Sequence, residues 1–311
     1  WTAGHTFVRI HGADFDKPFC TWNYLPLSYL GGLFNLFLIP LSVGGTIVVD
    51  EVFSGKTFLV FWQTIKRFNI NVLWLVPTIV RGLITLGERT SRNEVMPIPP
   101  KVDFAFLGTA PIDVDTKKKF ERLFGIPLLE NYGLSETTFV SSEIEGNEGD
   151  RCDGSTGSLL PYVEISFRPV DLVTSDASEI LVRSPFIMLG YLGLDGQIQS
   201  PEHEGYFATG DMGYIDKNGQ LILNGRSNDI IKKGGYYIRL REIELLAQQP
   251  KEVIEAAAMP IAHEFYGESY RLLIHTKPGS EADKVQKIKQ YIYDSIPKHK
   301  WPDTIDFVDK F

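Results

Sequence analysis

The chain predicts an α/β fold: mixed and parallel sheets with helices, then a short antiparallel β region and a small α+β C-terminal domain. Three observations carry this. Apolar strands alternate with amphipathic helices over the first two-thirds of the sequence. Short strands separated by turn residues follow. At 311 residues the chain has room for two domains, given about 100–200 residues per domain.

Residues 46–49 (Thr-Ile-Val-Val) form the first clear strand. Residues 57–68 place Phe58, Phe61, Trp62, Ile65 and Phe68 at helical spacing. A strand at 72–76 ends at Pro77, and another is expected at 102–107. Asp113 suits the N-cap of an amphipathic helix over 114–124 that Gly125 stops. A strand at 126–130 completes the alternation, which implies parallel pairing. Segments 164–168, 179–183 and 213–224 read as antiparallel strands, with a hairpin turn at Asp216-Lys217-Asn218-Gly219. Beyond Arg226 come a helix (241–248), two strands (253–259 and 271–276), a helix (281–295) and a strand (304–308). The boundary falls near 226–229, so residues 1–225 belong to a large N-terminal domain and 226–311 to a small C-terminal one.

Residues 18–49 carry no charge and are long enough to span a bilayer. Pro26, Pro40, Asn35 and the pairs Gly31-Gly32 and Gly44-Gly45 interrupt them, so the expectation is a helix and a strand inside an α/β core rather than a transmembrane segment. The net charge of -8 disfavours a nucleic-acid partner. Cys20 and Cys152 lack metal-ligand spacing and form no disulfide framework, and no signal peptide opens the chain; a cytoplasmic enzyme is expected.

The chemistry is expected in loops at the carboxyl ends of strands. One is Gly108-Thr109-Ala110-Pro111, the other Asn131-Tyr132-Gly133-Leu134-Ser135-Glu136-Thr137-Thr138. Both offer small residues for close backbone approach. The second adds an aromatic face, hydroxyls and a carboxylate, a set suited to a nucleotide and Mg²⁺. Taken alone, a Tyr-Gly pair is more often a turn, and Glu136 reads as a solvated helix-start residue.

Three further segments occur in order: Gly205-Tyr206-Phe207-Ala208-Thr209-Gly210-Asp211, then 225–235 (GRSNDIIKKGG), then Arg241-Glu242-Ile243-Glu244. Together with NYGLSETT they resemble the adenylate-forming superfamily of acyl- and aryl-CoA synthetases, luciferase and peptide-synthetase adenylation domains. The resemblance runs over nearly the whole chain. It implies an AMP-forming ligase that activates a carboxylic acid with ATP and Mg²⁺ and passes the acyl group to coenzyme A. The alternatives are loading of a carrier-protein thiol and a non-catalytic nucleotide-binding homologue.

By this resemblance Tyr132 stacks on adenine, with Gly108, Thr109, Ala110, Pro111, Asn131 and Gly133 around the nucleotide. Ser135, where the family often has Thr, reaches a phosphate, and Glu136 holds Mg²⁺. Asp211 binds the ribose hydroxyls and Arg226 contacts ribose or phosphate. Asn228 falls at the hinge about which the family's small domain rotates, and Lys233, Gly234 and Gly235 line the thiol tunnel. Tyr29, Gly32, Leu33, Trp74, Pro77, Thr78 and Ile79, with Gly108 and Gly133, lie near the acyl group; for Leu33 and Trp74 core packing is as good a reading. No acidic residue occurs in 25–37, so an acid lacking an α-amino group is favoured. Tyr29 replaces the His of many CoA ligases. Neither the family's TSGTTGxPK-like phosphate loop nor its late catalytic Lys occurs, and neither Lys298 nor Lys300 fills that role. A fragment of weak adenylation activity is therefore expected.

Overall fold

The computed structural model describes residues 1–12, 19–93, 101–110, 112–144, 151–169, 178–200, 202–226, 229–277 and 282–309. It divides into two compact units: residues 1–166, 181–209 and 214–223, and residues 167–180, 210–213 and 224–311.

The first unit opens with α1 (Thr2–Ile10), β1 (Cys20–Asn23), a π-helical segment (Gly31–Leu38) running into α2 (Ile39–Ser42), and β2 (Thr46–Val49). Then come α3 (Gly55–Phe68), β3 (Val72–Leu75), α4 (Pro77–Asn93), β4 (Phe104–Leu107) and α5 (Val114–Phe124). Local chemistry marks these boundaries. The Ser54 backbone N–H donates to Thr57 Oγ1 at 2.9 Å and opens α3. Asp113 Oδ1 accepts from the Thr116 N–H at 2.8 Å and opens α5. Gly125, at φ +66°, closes α5.

β2, β1, β3, β4 and β5 (Leu129–Leu134) lie side by side, all parallel. At β5 the sheet changes sense: β6 (Thr138–Ser142) pairs with it antiparallel, and β7 (Ser155–Leu159) continues antiparallel on β6. The remaining strands are β8 (Glu164–Arg168), β9 (Ser178–Arg183), the small hairpin β10 (Tyr191–Leu192) and β11 (Ile198–Gln199), β12 (Glu202–His203), β13 (Tyr206–Ile215) and β14 (Gln220–Arg226). Residues 220–222 of β14 lie on β7, and the expected turn 216–219 precedes them with Gly219 at φ +79°. The division between units falls inside β8, β9, β13 and β14.

One expectation changes here. Residues 131–134 are not loop but the greater part of β5, which starts at Leu129 rather than at the expected 126. The antiparallel partner β6 satisfies backbone groups that a free loop would leave to water: Asn131 faces Ser142, Tyr132 faces Ser141 and Gly133 faces Phe139. The charge-free run resolves into β1, the π-helical segment with α2, and β2. Among the described residues no helix is long and apolar enough to cross a membrane.

The two faces of the parallel sheet pack differently. Leu73, Leu75, Ala105 and Leu107 point toward the helices and join Phe61, Ile65, Val80, Leu83 and Phe120 in one core. Trp74 and Phe106 point the other way, onto Phe7 of α1. Each such side chain contributes roughly 1.5–3 kcal/mol on burial.

The second unit contains a separate five-stranded sheet, formed by β15 (Ile230–Lys233), β16 (Tyr236–Arg239), β17 (Val253–His263), β18 (Gly267–Thr276) and β19 (Thr304–Val308). Their order is β16-β15-β18-β17, with β19 parallel on β18. α6 (Leu240–Ala247) and α7 (Ala282–Ser295) contribute Leu240, Ile243, Ile288 and Ile292 to its core, against Tyr270, Leu272 and Ile274.

Candidate active site

In the first unit the candidate residues gather where parallel pairing ends. Leu107 and Glu130 are register partners, so Gly108 and Asn131 emerge side by side from β4 and β5. A Cβ on Gly108 would stand 2.8 Å from Asn131 Oδ1. The Asn131 Nδ2 is buried and has no hydrogen-bond partner among the described residues. Leaving such a donor unmet costs about 1–3 kcal/mol, so the position is suited to a ligand acceptor. Thr109 follows at φ +83°, a left-handed conformation that is strained for a β-branched residue. Ala110 is exposed, and Pro111 lies outside the described residues.

Tyr132 is buried, at 7% exposure. Gly133 admits no side chain, because a Cβ would come within 2.1 Å of the Thr138 carbonyl oxygen across the β5–β6 turn. Ser135 is exposed on that turn. Beside it, Glu136 Oε1 accepts from the Tyr191 hydroxyl at 3.0 Å, and its carbonyl accepts from the Met188 N–H at 2.8 Å. Desolvation and the Glu136 carboxylate raise the Tyr191 phenol above its ordinary pKa. No sequence signal connected Tyr191 to Glu136; the contact is made across 55 residues.

A buried ionic cluster holds the same strand. Lys117 Nζ of α5 donates to Glu130 Oε1 at 3.0 Å and to Glu143 Oε2 at 2.6 Å. Glu143 Oε2 also accepts from the Glu130 N–H at 2.7 Å and lies 3.8 Å from Arg151 Nε. Burial raises the Glu130 carboxyl, and the Lys117 charge opposes that shift. Sequence reasoning missed this cluster; its one local clue is an acidic residue, Glu130, ending an apolar strand just before Asn131-Tyr132.

The expected acyl-side residues have mixed environments. Tyr29 is partly exposed and folds back on Gly31, where a Cβ would meet its Cε1 at 2.5 Å. Gly32 is buried with Pro26 O 2.2 Å from a notional Cβ, and its carbonyl accepts from Asn23 Nδ2 at 3.1 Å. Leu33 and Thr78 are exposed. Pro77 is buried at the start of α4. Ile79 packs into the helix-side core beside Leu75 and Leu83. Trp74 is 1% exposed on the opposite face.

In the second unit Asp211 is buried on β13, and its Oδ1 accepts from Arg226 Nε at 3.1 Å. Nearby Asp229 is raised by burial and by Glu244, with Arg226 and Arg241 opposing. Asn228 lies outside the described residues. Lys233 is buried: its Nζ donates to the Trp301 carbonyl at 2.8 Å and lies 3.7 Å from Asp303. Gly234 and Gly235 take φ +55° and +91° at the β15–β16 turn. A cavity of about 500 Å³ opens here, walled by Lys233, Gly234, Tyr236, Tyr266, Lys298, His299, Trp301, Pro302 and Asp303.

A mixed α/β sheet with glycine-lined strand ends and an unmet amide among them is the class of scaffold that takes a nucleotide. The family follows from the sequence: the model of the AMP-binding enzymes matches residues 4–192, and the chain belongs to that family. It is 27% identical over 289 residues to a sulfoacetate–CoA ligase of Cupriavidus necator, covering 91% of this chain and 54% of the relative. It is 31% identical over 288 residues to a 2-succinylbenzoate–CoA ligase of Lactococcus lactis, covering 92% of this chain and 57% of the relative. The structure of ATP-bound MatB from Rhodopseudomonas palustris superposes with a TM-score of 0.81 at 25% identity, over 99% of this chain and 59% of that one. The chain thus spans about half the length of the curated relatives it matches.

Proposed function

We propose that this chain forms part of an AMP-forming acid–CoA ligase. The observation that carries the reading is the pairing of Gly108 with Asn131, whose buried Nδ2 has no acceptor among the described residues. In this reading the base lies against Gly108 and Ala110, Asn131 donates to it, and Tyr132 supplies the aromatic face. Asp211 accepts from the ribose hydroxyls, with Arg226 turned toward ribose or phosphate; the Asp211–Arg226 contact supports holding that carboxylate in a fixed orientation. Ser135 reaches a phosphate oxygen.

Among the described residues no three His, Cys, Asp or Glu side chains cluster as a protein-built metal site. That suits Mg²⁺, which is commonly held by one or two carboxylates together with substrate phosphates. Glu136 would hold it, and bound there the ion would offset charge on the phosphates. The chemistry is displacement at phosphorus. The substrate carboxylate attacks the α-phosphorus of ATP and pyrophosphate leaves, so the protein's task is positioning and charge stabilisation. The acyl-adenylate is then opened by the thiol of coenzyme A, with AMP leaving.

Support for coenzyme A comes from the second unit. The Gly234-Gly235 turn borders a cavity carrying Lys298 and His299, which suits a polyanionic thiol. The absence of an acidic residue from 25–37 favours an acid without an α-amino group. Residues 226–311 would turn about Asn228 between the two half-reactions, and the enzyme would work in the cytoplasm. The 311-residue chain alone would adenylate weakly, because the phosphate loop and late lysine of the family do not occur in it.

The test is pyrophosphate release by the full-length protein over a panel of carboxylic acids, with and without coenzyme A. Release dependent on the acid and thioester formation dependent on coenzyme A are expected. An absence of acid-dependent release from folded protein overturns the reading. Adenylation without thioester formation points to a carrier-protein thiol instead.

A further inference from the structure

The cavity of the second unit is bordered by a turn that has to be held from outside. Lys233 and Tyr236 are register partners, so Gly234-Gly235 is a two-residue hairpin loop. Both glycines take positive φ, and fixing a Gly-Gly pair costs more backbone freedom than fixing any other residues. One tie is main chain: the Gly234 N–H donates to the Tyr266 carbonyl at 3.1 Å. The other is the side chain of the residue that opens the loop.

The Lys233 side chain is only 10% exposed, and an ammonium taken out of water needs partners. It finds them 68 and 70 residues along the chain. Nζ donates to the Trp301 carbonyl at 2.8 Å, lies 3.7 Å from Asp303 Oδ1 and stands 5.2 Å from the centre of the Tyr266 ring. The same Asp303 oxygen accepts from Ser269 Oγ at 2.9 Å and faces His263 Nε2 at 3.6 Å. His263 Nδ1 accepts from the Phe265 and Tyr266 N–H groups, each at 3.1 Å, which puts the ring proton on Nε2, toward the carboxylate. One carboxylate oxygen thus collects Lys233 of β15, His263 of β17 and Ser269 of β18.

Because Asp303 meets its charge, the Lys233 ammonium is a strut rather than an anion contact. Lys298 and His299 stand differently. Lys298 Nζ lies 5.8 Å over the Trp301 ring, and His299 stacks on Tyr236 at 4.4 Å, both on the wall of the 500 Å³ cavity.

We propose that Lys233 and Asp303 are positioning residues for coenzyme A, bracing the Gly234-Gly235 turn so that the cavity keeps the shape in which Lys298 and His299 meet the ligand's phosphates. The proposal rests on the reading above that this cavity serves coenzyme A. Both residues act through the turn and take no part in the chemistry.

The experiment uses the full-length protein as wild type, Lys233→Met, Asp303→Asn and the double variant. Two quantities are measured: the KM for coenzyme A in thioester formation, and acid-dependent pyrophosphate release without coenzyme A. Each single substitution should raise the KM for coenzyme A by about 10-fold. The double variant should stand near the more affected single one, because both changes remove the same contact; independent roles would multiply to about 100-fold. Pyrophosphate release should fall far less than thioester formation at a coenzyme A concentration near the wild-type KM. A KM does not depend on how much of the enzyme is folded. Asp303→Asn, which keeps the side-chain volume and an acceptor for Ser269, keeps the test open should Lys233→Met not fold. A KM within about 2-fold of wild type in the folded variants overturns the proposal. So does a multiplicative double variant, or a loss of pyrophosphate release as large as the loss of thioester formation; the ligase reading stands in each case. Wild-type protein that releases pyrophosphate with an acid but forms no thioester with coenzyme A sinks the coenzyme A reading, and the proposal with it.

Discussion

Replacing Lys117 with Met tests whether the ionic cluster beneath Asn131-Tyr132 is a structural clamp. The Lys117, Glu143 and Glu130 side chains are 9%, 1% and 12% exposed, so neither carboxylate partner is well screened by water. Removing the cation leaves Glu130 and Glu143 facing each other, with Arg151 Nε 3.8 Å from Glu143. Breaking a buried pair in this way costs about 3–5 kcal/mol. At about 2–4 °C per kcal/mol for a unit of this size, the melting temperature should fall by roughly 6–20 °C. The pH dependence supplies the sign. Burial raises the Glu130 carboxyl and Lys117 lowers it, so removing Lys117 raises it further. A carboxyl with a raised folded pKa adds stability at low pH that is lost as pH rises through the folded value. The variant should therefore be most impaired at about pH 8 and closer to wild type at about pH 5. Scanning calorimetry and urea unfolding at both pH values measure this. A loss below about 1 kcal/mol, equal at both pH values, would mean that the pair behaves as a screened surface contact and that the clamp argument is wrong.

Three other substitutions probe the site and its frame. Gly108→Ala places a methyl 2.8 Å from Asn131 Oδ1, the end of a side chain that can move; the fold should survive, while calorimetric ATP binding weakens by about 10-fold, or about 1.4 kcal/mol. Unchanged affinity would count against Asn131 as a base contact. Asp211→Asn removes the ionic acceptor of Arg226 and, on the proposed reading, of the ribose hydroxyls; it should raise the KM for ATP by about 10–100-fold with little change in the melting temperature. Gly157→Ala should prevent stable folding, with a cost above about 3 kcal/mol, since Gly157 sits at φ +87° and a Cβ would lie 1.9 Å from the Ser142 carbonyl carbon; a soluble variant with wild-type circular dichroism would contradict the β6–β7 geometry.

The order of elements was legible in the sequence because it rests on local chemistry. The Asp113 cap, the Gly125 stop, the phenylalanine spacing of 57–68 and the Asn218-Gly219 turn each depend on a few neighbouring residues, and each stands in the fold. The segments NYGLSETT, Asp211 and Lys233-Gly234-Gly235 stood out in the sequence by their resemblance to a family rather than by local chemistry. The tertiary structure alone decided what depends on a distant partner. Residues 131–134 looked like loop until β6 supplied their hydrogen bonds. Lys117 is a polar residue on an amphipathic helix until Glu130 and Glu143, 13 and 26 residues away, enclose its charge. Trp74 could have been core or pocket. Only the rings of Phe7, Phe106 and Phe139, drawn from α1, β4 and β6, show that the volume around it is filled. Propensity and capping act within a turn or two of chain, whereas burial, charge pairing and excluded volume depend on what the fold brings alongside.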